Sequence, residues 1–89
     1  MLEIRAMQAE DLEAVVRTES QIFSRPWSRK GFEDALRQKE TIYLVAYEKD
    51  ILAGYCGLLQ SFDEADITNV AVVEKFRGKG VATELLEQL

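Results

Sequence analysis

The stretch TNVAVVEKFRGKGVATELL, residues 68–86, decides how this chain is interpreted. Its apolar, β-branched beginning predicts a strand over residues 67–73. A polar loop follows at residues 74–79, and apolar residues then recur at helical spacing from Val81 onward. Gly78 and Gly80 stand where the helix opens, and glycine there lets an anion approach backbone N–H groups closely. The stretch therefore predicts a strand–loop–helix unit that binds phosphate.

The charge of this loop is opposite in sign to that of the whole chain. The formal net charge is −5, yet Lys75, Arg77 and Lys79 place three positive charges within five residues. Exposed charges and helix dipoles each contribute about 0.3–1 kcal/mol toward holding an anion, so several together favour a pyrophosphate. Because the chain as a whole is acidic, nucleic acid is not an expected partner.

Three phosphate-binding patterns can be compared with this loop. The P-loop spacing Gly-x-x-x-x-Gly-Lys-Ser/Thr is absent. The dinucleotide pattern Gly-x-Gly-x-x-Gly fails because Thr83 stands at the third glycine position. The pattern Arg/Gln-x-x-Gly-x-Gly/Ala is matched at its fixed positions by Arg77, Gly80 and Ala82. The sequence therefore favours the third pattern.

The residues upstream predict the rest of the domain. Alternation at residues 2–5 predicts a short strand, and apolar spacing predicts a helix over residues 10–23. Ser28 suits the N-cap of a second helix, with Trp27 and Phe32 placed as a hydrophobic staple. Residues 41–47 and 51–60 predict two more strands, with turns at residues 48–50 and 62–65. The order is β-α-α-β-β-β-α, an α+β (mixed α/β) domain with antiparallel middle strands.

Individual residues add constraints on chemistry and packing. Gly54 and Gly57 lie inside the predicted third strand, where glycine marks a bulge or a close approach. The single cysteine, Cys56, lies in an apolar run and is interpreted as a small core residue. The chain contains no histidine, which excludes Ser–His and Cys–His nucleophiles and removes the commonest zinc ligand. No metal site is expected.

Taken together, these motifs resemble a known family. Residues 69–72, Asn-Val-Ala-Val, followed by residues 76–82, Phe-Arg-Gly-Lys-Gly-Val-Ala, resemble the coenzyme A-binding motif of GNAT acetyltransferases. Residues 25–28, Arg-Pro-Trp-Ser, with Phe32 and residues 47–54, resemble the RimI-type branch, the ribosomal-protein-alanine N-acetyltransferases. The resemblance implies the N-terminal half of a single GNAT domain over residues 1–89, with the C-terminal strands and helix missing.

The resemblance also implies a reaction and a binding site. The reaction is transfer of acetyl from acetyl-CoA to an amine, here the N-terminal alanine of a protein such as a ribosomal protein. Backbone groups of the fourth strand would bind the acetyl and pantetheine portion, at Val70, Ala71 and Val72. The helix opening would hold the pyrophosphate, at Arg77, Gly78, Lys79, Gly80, Val81, Ala82 and Thr83. A neutral amine would attack the thioester directly while strand N–H groups polarise its carbonyl.

Proton-transfer and acceptor-binding residues are less well marked. The resemblance places the carboxylate base and the tyrosine acid beyond Leu89, so the catalytic residues are unknown. Glu64 and Asp66 are the carboxylates near the fourth strand, although both also fit solvated turn positions. Glu19 falls on an apolar helical stripe, where a carboxylate is costly unless paired. It is interpreted as a salt-bridged residue or an exposed edge of the stripe, and the alternative is a contact with the substrate N-terminus.

Two other interpretations stay open beside the enzyme. One is an acetyl-CoA-binding module without turnover, and the other is a structural half-domain that self-associates through a free edge of the fourth strand. No apolar run approaches the roughly 18 residues of a membrane span, and the N-terminus lacks the basic start of a signal peptide. The expected surroundings are therefore cytoplasmic, with no membrane partner. The three tyrosines at residues 43, 47 and 55 are interpreted as strand residues with half-buried rings.

Overall fold

The computed structural model describes residues 2–60 and 64–89. These residues contain four strands and three α-helices. The strands and helices follow in the predicted order: β1 Leu2–Ala6, α1 Leu12–Ile22, α2 Arg29–Arg37, β2 Thr41–Glu48, β3 Ile51–Gln60, β4 Ala65–Val72 and α3 Val81–Gln88. Short 3-10 helices at Ala9–Asp11 and Glu74–Phe76 precede α1 and α3. The predicted fold class is confirmed. Half of the predicted turn at residues 62–65 lies outside the described residues.

The strands form one antiparallel sheet in the order β1-β2-β3-β4. Strands β2, β3 and β4 are successive neighbours because their short connections leave no room for a crossover, whereas β1 joins β2 through α1 and α2. Among the described strands, β4 pairs with β3 alone, so its second side is an edge of the sheet. The predicted antiparallel pairing of the middle strands is confirmed.

Apolar side chains pack on both faces of this sheet. Tyr43 and Val45 belong to one core cluster, whereas Leu44 and Ala46 belong to another, as expected for residues that alternate across a strand. The first cluster joins the sheet to α1 and α2 through Leu12, Val15, Phe32 and Ala35. The second joins it to the segment around α3 through Phe76, Val81 and Leu85. The helices thus cover opposite faces, and β4 lies between the two layers at one side.

The start of α2 follows the local sequence signals. The Ser28 hydroxyl accepts a hydrogen bond from the Gly31 N–H at 3.2 Å, which confirms the predicted N-cap. The Trp27 and Phe32 rings lie 5.2 Å apart between centroids, so the predicted staple is formed. Trp27 nevertheless keeps 37% of its surface exposed, while Phe32 is fully buried.

Two segments differ from the prediction for identifiable reasons. Residues 74–76 were predicted as a polar loop but form a 3-10 turn, because Phe76 is buried against Val81 and Leu85. Helix α1 begins at Leu12, two residues later than predicted. Asp11 instead accepts hydrogen bonds from Arg5 and from the backbone of Gln8, which holds the chain in a 3-10 turn before the helix.

Both strand glycines lie at close approaches, as predicted. A Cβ atom on Gly54 would lie 2.7 Å from the Ala71 carbonyl oxygen and 3.1 Å from a Val81 methyl group. A Cβ atom on Gly57 would overlap the Tyr43 ring. Glycine at residue 54 therefore allows β4 and α3 to pack tightly on β3, which places the start of α3 beside the end of β4. Cys56 is fully buried, which confirms its interpretation as a core residue.

Candidate functional site

The loop that opens α3 leaves free space where the sequence predicts an anion. Gly78 and Gly80 adopt left-handed backbone conformations with φ of 80° and 81°. Gly80 is also the N-cap residue of α3. Apart from the adjacent residues, no atom of the described residues lies within 4 Å of a Cβ atom built at either glycine. The conformation excludes most L side chains, and the open space beside it is accessible to a ligand.

Backbone donors face this space at the first turn of α3. The Glu84 N–H makes the hydrogen bond to Gly80 O at 3.0 Å that begins the helix. The N–H groups of Val81, Ala82 and Thr83 precede it and have no acceptor inside the helix. A cleft of about 270 Å³ lies here, lined by Val72, Phe76, Arg77, Gly78, Gly80, Val81, Ala82 and Thr83. The cleft thus joins the end of β4 to nearly all of the predicted pyrophosphate residues.

Positive side chains surround the cleft. Residues 74–84 carry three positive and two negative charges, a local excess of +1 on a chain of net −5. Arg77 Nε donates to the Val72 carbonyl oxygen at 3.2 Å, which ties the loop to the end of β4. The ammonium groups of Lys75 and Lys79 lie 5.3 and 5.7 Å from the centroid of the Phe76 ring. Lys79 does not line the cleft, and its contact with the cofactor stays a prediction.

The predicted acetyl and pantetheine segment lies along β4. Ala71 is buried on the face covered by α1 and α2, whereas Val70 and Val72 are half-buried on the α3 face. Val70 pairs with Cys56 and Val72 with Gly54. On the outer side of β4, which is an edge of the described sheet, alternate residues of this segment turn their N–H and C=O groups outward, where they are available to a ligand. Of these three residues, only Val72 lines the small cleft.

A second and larger cleft lies beside the first. Its volume is about 640 Å³, and it is lined by Thr18, Gln21 and Ile22 of α1 and by Val73, Glu74, Lys75 and Arg77. Arg77 lines both clefts, so they adjoin at this residue. Sequence reasoning missed the α1 residues. Their spacing marks one helical face, but nothing local indicates that this face lies beside the end of β4.

Glu19 is held by neutral donors, and its predicted salt bridge or exposed position is wrong. The side chain is 2% exposed. Its carboxylate accepts the Tyr55 hydroxyl at 2.5 Å and the Trp27 backbone N–H at 3.1 Å. Tyr55 is fully buried rather than half-buried, and burial together with Glu19 raises the pKa of its phenol, which stays protonated and donates. The contact of Glu19 with a substrate stays a prediction.

The other predicted carboxylates lie far from the clefts. Glu64 and Asp66 are exposed at the start of β4. Asp66 lies six positions before Val72, about 20 Å along a strand. The carboxylate that lines the larger cleft is Glu74, which sequence reasoning did not select. In residues 2–60 and 64–89, histidine, cysteine and carboxylate side chains nowhere gather in threes as metal ligands would. No helix there has the length and apolar character to cross a membrane.

Comparison with known proteins identifies the family. The sequence model of the acetyltransferase (GNAT) family matches residues 7–89. A protein of Bacillus subtilis (strain 168), named "Putative ribosomal protein bS18-alanine N-acetyltransferase", is 35% identical over 83 residues. That alignment covers 92% of this chain and 55% of the Bacillus protein. The chain thus spans about half the length of this relative.

Solved structures show the same fold. The crystal structure of the ribosomal-protein-S18-alanine N-acetyltransferase from Escherichia coli matches with a TM-score of 0.86 and 25% identity, over 99% of this chain and 56% of that one. The PaiA N-acetyltransferase from Thermoplasma acidophilum, solved in complex with coenzyme A, also gives a TM-score of 0.86, at 18% identity. The match covers 99% of this chain and 69% of the Thermoplasma chain. The second likeness supports the fold alone.

Proposed function

The chain belongs to the acetyltransferase (GNAT) family, and on this premise we propose that its protein transfers an acetyl group from acetyl-CoA to an amine. The acceptor we propose is the N-terminal alanine of a protein such as a ribosomal protein, since relatives at 35% and 25% identity carry that activity in their names. The observation that carries the proposal is the open, left-handed glycine loop beside the end of β4.

Binding of acetyl-CoA would use the small cleft for the pyrophosphate. Free N–H groups at the first turn of α3 favour an anion, and Arg77 and the two nearby lysines add positive charge. The pantetheine portion would extend along the outer edge of β4, where backbone groups from Val70 to Val72 can hydrogen-bond its amides. The thioester would then lie toward the larger cleft, which is roomy enough for an acceptor amine.

The chemical step moves one acetyl group and one proton. The amine nitrogen attacks the thioester carbonyl carbon, the C–S bond breaks, the nitrogen loses a proton and the departing sulfur gains one. Backbone N–H groups on the edge of β4 would stabilise the charge that develops on the carbonyl oxygen. Glu64 and Asp66 stay weak candidates for proton transfer because of their distance along β4. Glu74 is the carboxylate better placed for it.

Calorimetry with acetyl-CoA tests the binding half of the proposal. Gly80→Glu places a negative side chain where the pyrophosphate belongs, and we expect binding to be lost. Gly80→Ala is the matched control, because it introduces the same backbone strain at φ 81° without the charge or the bulk. An affinity for acetyl-CoA that is the same in Gly80→Glu as in the parent would show that the cleft is not the binding site.

Acetylation of a peptide tests the transfer half. An alanine-initiated peptide incubated with the protein and acetyl-CoA should gain about 42 mass units at its N-terminus. A copy of the peptide with a blocked N-terminus should gain none. Binding of acetyl-CoA without acetylation would instead support the binding module without turnover.

Self-association has support of its own in the exposed edge of the sheet. In the described sheet β4 pairs on one side only, and Ile67 in that strand is 53% exposed. Such an edge can pair with a second copy of the chain. Light scattering at increasing dilution, with Ile67→Lys as the disrupting variant, would show a concentration-dependent dimer. A parent that scatters as a monomer throughout would rule this out.

A further inference from the structure

Strand β4 contains one residue more than its partner strand requires. Gly57 of β3 lies opposite Asn69, and the next residue, Leu58, lies opposite Ile67. Thr68 is therefore the extra residue of a β-bulge. Because strand residues alternate with a period of two, a single extra residue inverts which backbone groups face the partner and which face outward. The bulge thus determines which backbone N–H and C=O groups face outward in the segment that begins at Val70.

The Tyr43 side chain reaches this bulge from β2, across the intervening strand β3. Its hydroxyl donates to Asn69 Oδ1 at 3.2 Å and lies 3.1 Å from Thr68 Oγ1. A phenol has one proton, and since Tyr43 gives it to Asn69, the Thr68 hydroxyl donates to the Tyr43 oxygen. One phenol oxygen therefore holds the side chains of both residues that stand opposite Gly57.

Packing fixes the Tyr43 ring in place. The residue is 5% exposed. Its ring lies 6.4 Å from the Phe32 ring in an edge-on arrangement and 6.4 Å from the Trp27 ring. The ring also occupies the space that a side chain at residue 57 would need. Glycine at residue 57 is therefore the condition for the phenol to pass over β3 and reach β4.

From this geometry we propose that Tyr43 is a positioning residue, which holds the β4 bulge and so sets how the edge of β4 presents its backbone groups to acetyl-CoA. This inference rests on the proposed function. Tyr43 itself would not touch the reacting atoms, since it acts from β2 through Thr68 and Asn69. Burial raises the pKa of the Tyr43 phenol; the hydrogen bond with Thr68 lowers it, and the nearby Glu19 raises it. The net shift is upward, so the hydroxyl keeps the proton that it donates.

Two substitutions in the same strand separate this role from ordinary stabilisation. Tyr43→Phe removes the hydroxyl that holds the bulge and keeps the ring. Tyr47→Phe is the matched control, because it removes a phenol hydroxyl that donates to Asp11 at 2.9 Å, on the β1 side of the sheet. Tyr43→Phe loses two hydrogen bonds and Tyr47→Phe loses one, and both are expected to melt below the parent. Only Tyr43→Phe should alter the acetyl-CoA site.

The readouts are acetyl-CoA affinity by calorimetry and amide hydrogen exchange of the ligand-free chain. We expect Tyr43→Phe to bind acetyl-CoA about tenfold more weakly and to exchange the amides of residues 69–72 faster, because buried hydrogen bonds of this kind have effects of that size. Tyr47→Phe should match the parent in both. Thr68→Val, at an exposed residue, should weaken binding in the same direction and add little to Tyr43→Phe in the double variant.

The outcomes distinguish this inference from the function on which it rests. A parent that binds acetyl-CoA while Tyr43→Phe and Thr68→Val bind equally well would overturn the positioning role and leave the function standing. Equal losses of affinity in Tyr43→Phe and Tyr47→Phe would also overturn it, since the effect would then follow from stability. A parent that fails to bind acetyl-CoA would refute the proposed function, and the inference with it, before any substitution is compared.

Discussion

Asp11 is a buried carboxylate that accepts four hydrogen bonds, and its substitution should destabilise the fold by a predictable amount. Asp11 is 2% exposed. Its oxygens accept two hydrogen bonds from Arg5 at 2.8 Å, one from the Gln8 N–H at 2.8 Å and one from the Tyr47 hydroxyl at 2.9 Å. Asp11→Asn keeps the shape of the side chain but removes the charge and replaces one acceptor oxygen by a donor.

The expected loss of stability follows from these contacts. Breaking a buried ion pair costs about 3–5 kcal/mol. The Arg5 side chain is 37% exposed, so solvent screening reduces its share. We therefore expect a loss of about 2–3 kcal/mol. For a domain of this size each kcal/mol lowers the melting temperature by about 4–8 °C. Asp11→Asn should accordingly melt about 8–24 °C below the parent by circular dichroism.

The pH dependence gives the prediction a second test. Burial alone would raise the pKa of Asp11, but hydrogen bonds from Arg5, the Gln8 backbone and Tyr47 lower it below its ordinary 3.8. A carboxyl group whose pKa is lowered by folding stabilises the folded state above its unfolded pKa, and this stabilisation is lost as the pH falls through the folded value. The stability gap between parent and Asp11→Asn should therefore be constant down to about pH 4 and shrink below it.

Urea unfolding at a series of pH values measures this gap. The control is Asp34→Asn, because Asp34 is an exposed residue 3.9 Å from Arg37 and should change stability by less than about 0.5 kcal/mol. An Asp11→Asn variant as stable as the Asp34→Asn control at pH 7 would refute the assigned contacts. A gap that stays unchanged from pH 7 to pH 3 would show that the charge of Asp11 is not what stabilises the fold.

Two further predictions concern the segment between α1 and α2. Trp27→Ala should lower the free energy of unfolding by about 2–3 kcal/mol. This is less than the loss for a fully buried tryptophan, because 37% of the Trp27 surface is already exposed. A melting temperature within about two or three degrees of the parent would show that the ring does not support α2. Glu19→Gln should cost about 1–3 kcal/mol, since Tyr55 and the Trp27 N–H donate to different carboxylate oxygens and an amide keeps only one of them. In a double-mutant cycle, Tyr55→Phe should add less to Glu19→Gln than to the parent, and full additivity would contradict the hydrogen bond.

Signals confined to a few neighbouring residues predicted the larger part of the fold. The order of strands and helices, the Ser28 cap and the Trp27–Phe32 contact follow from periodicity and capping rules that act within one or two helical turns. The loop from Arg77 to Ala82 belongs to the same class, because its glycines and its helix start are adjacent in the chain. These features depend on backbone conformation, and backbone conformation is set locally.

What the sequence did not reveal depends on residues that are distant in the chain and meet only after packing. The partner of Glu19 is Tyr55, 36 residues away, and no local rule distinguishes that neutral donor from the expected cation. The bulge at Thr68 depends on the register between β3 and β4, and Tyr43 reaches it from 25 residues away. The larger cleft exists because the last turn of α1 packs near the end of β4. The sequence alone thus determined the strands, the helices and the glycine loop, whereas the packing of distant side chains decided which buried polar groups are satisfied and where the clefts lie.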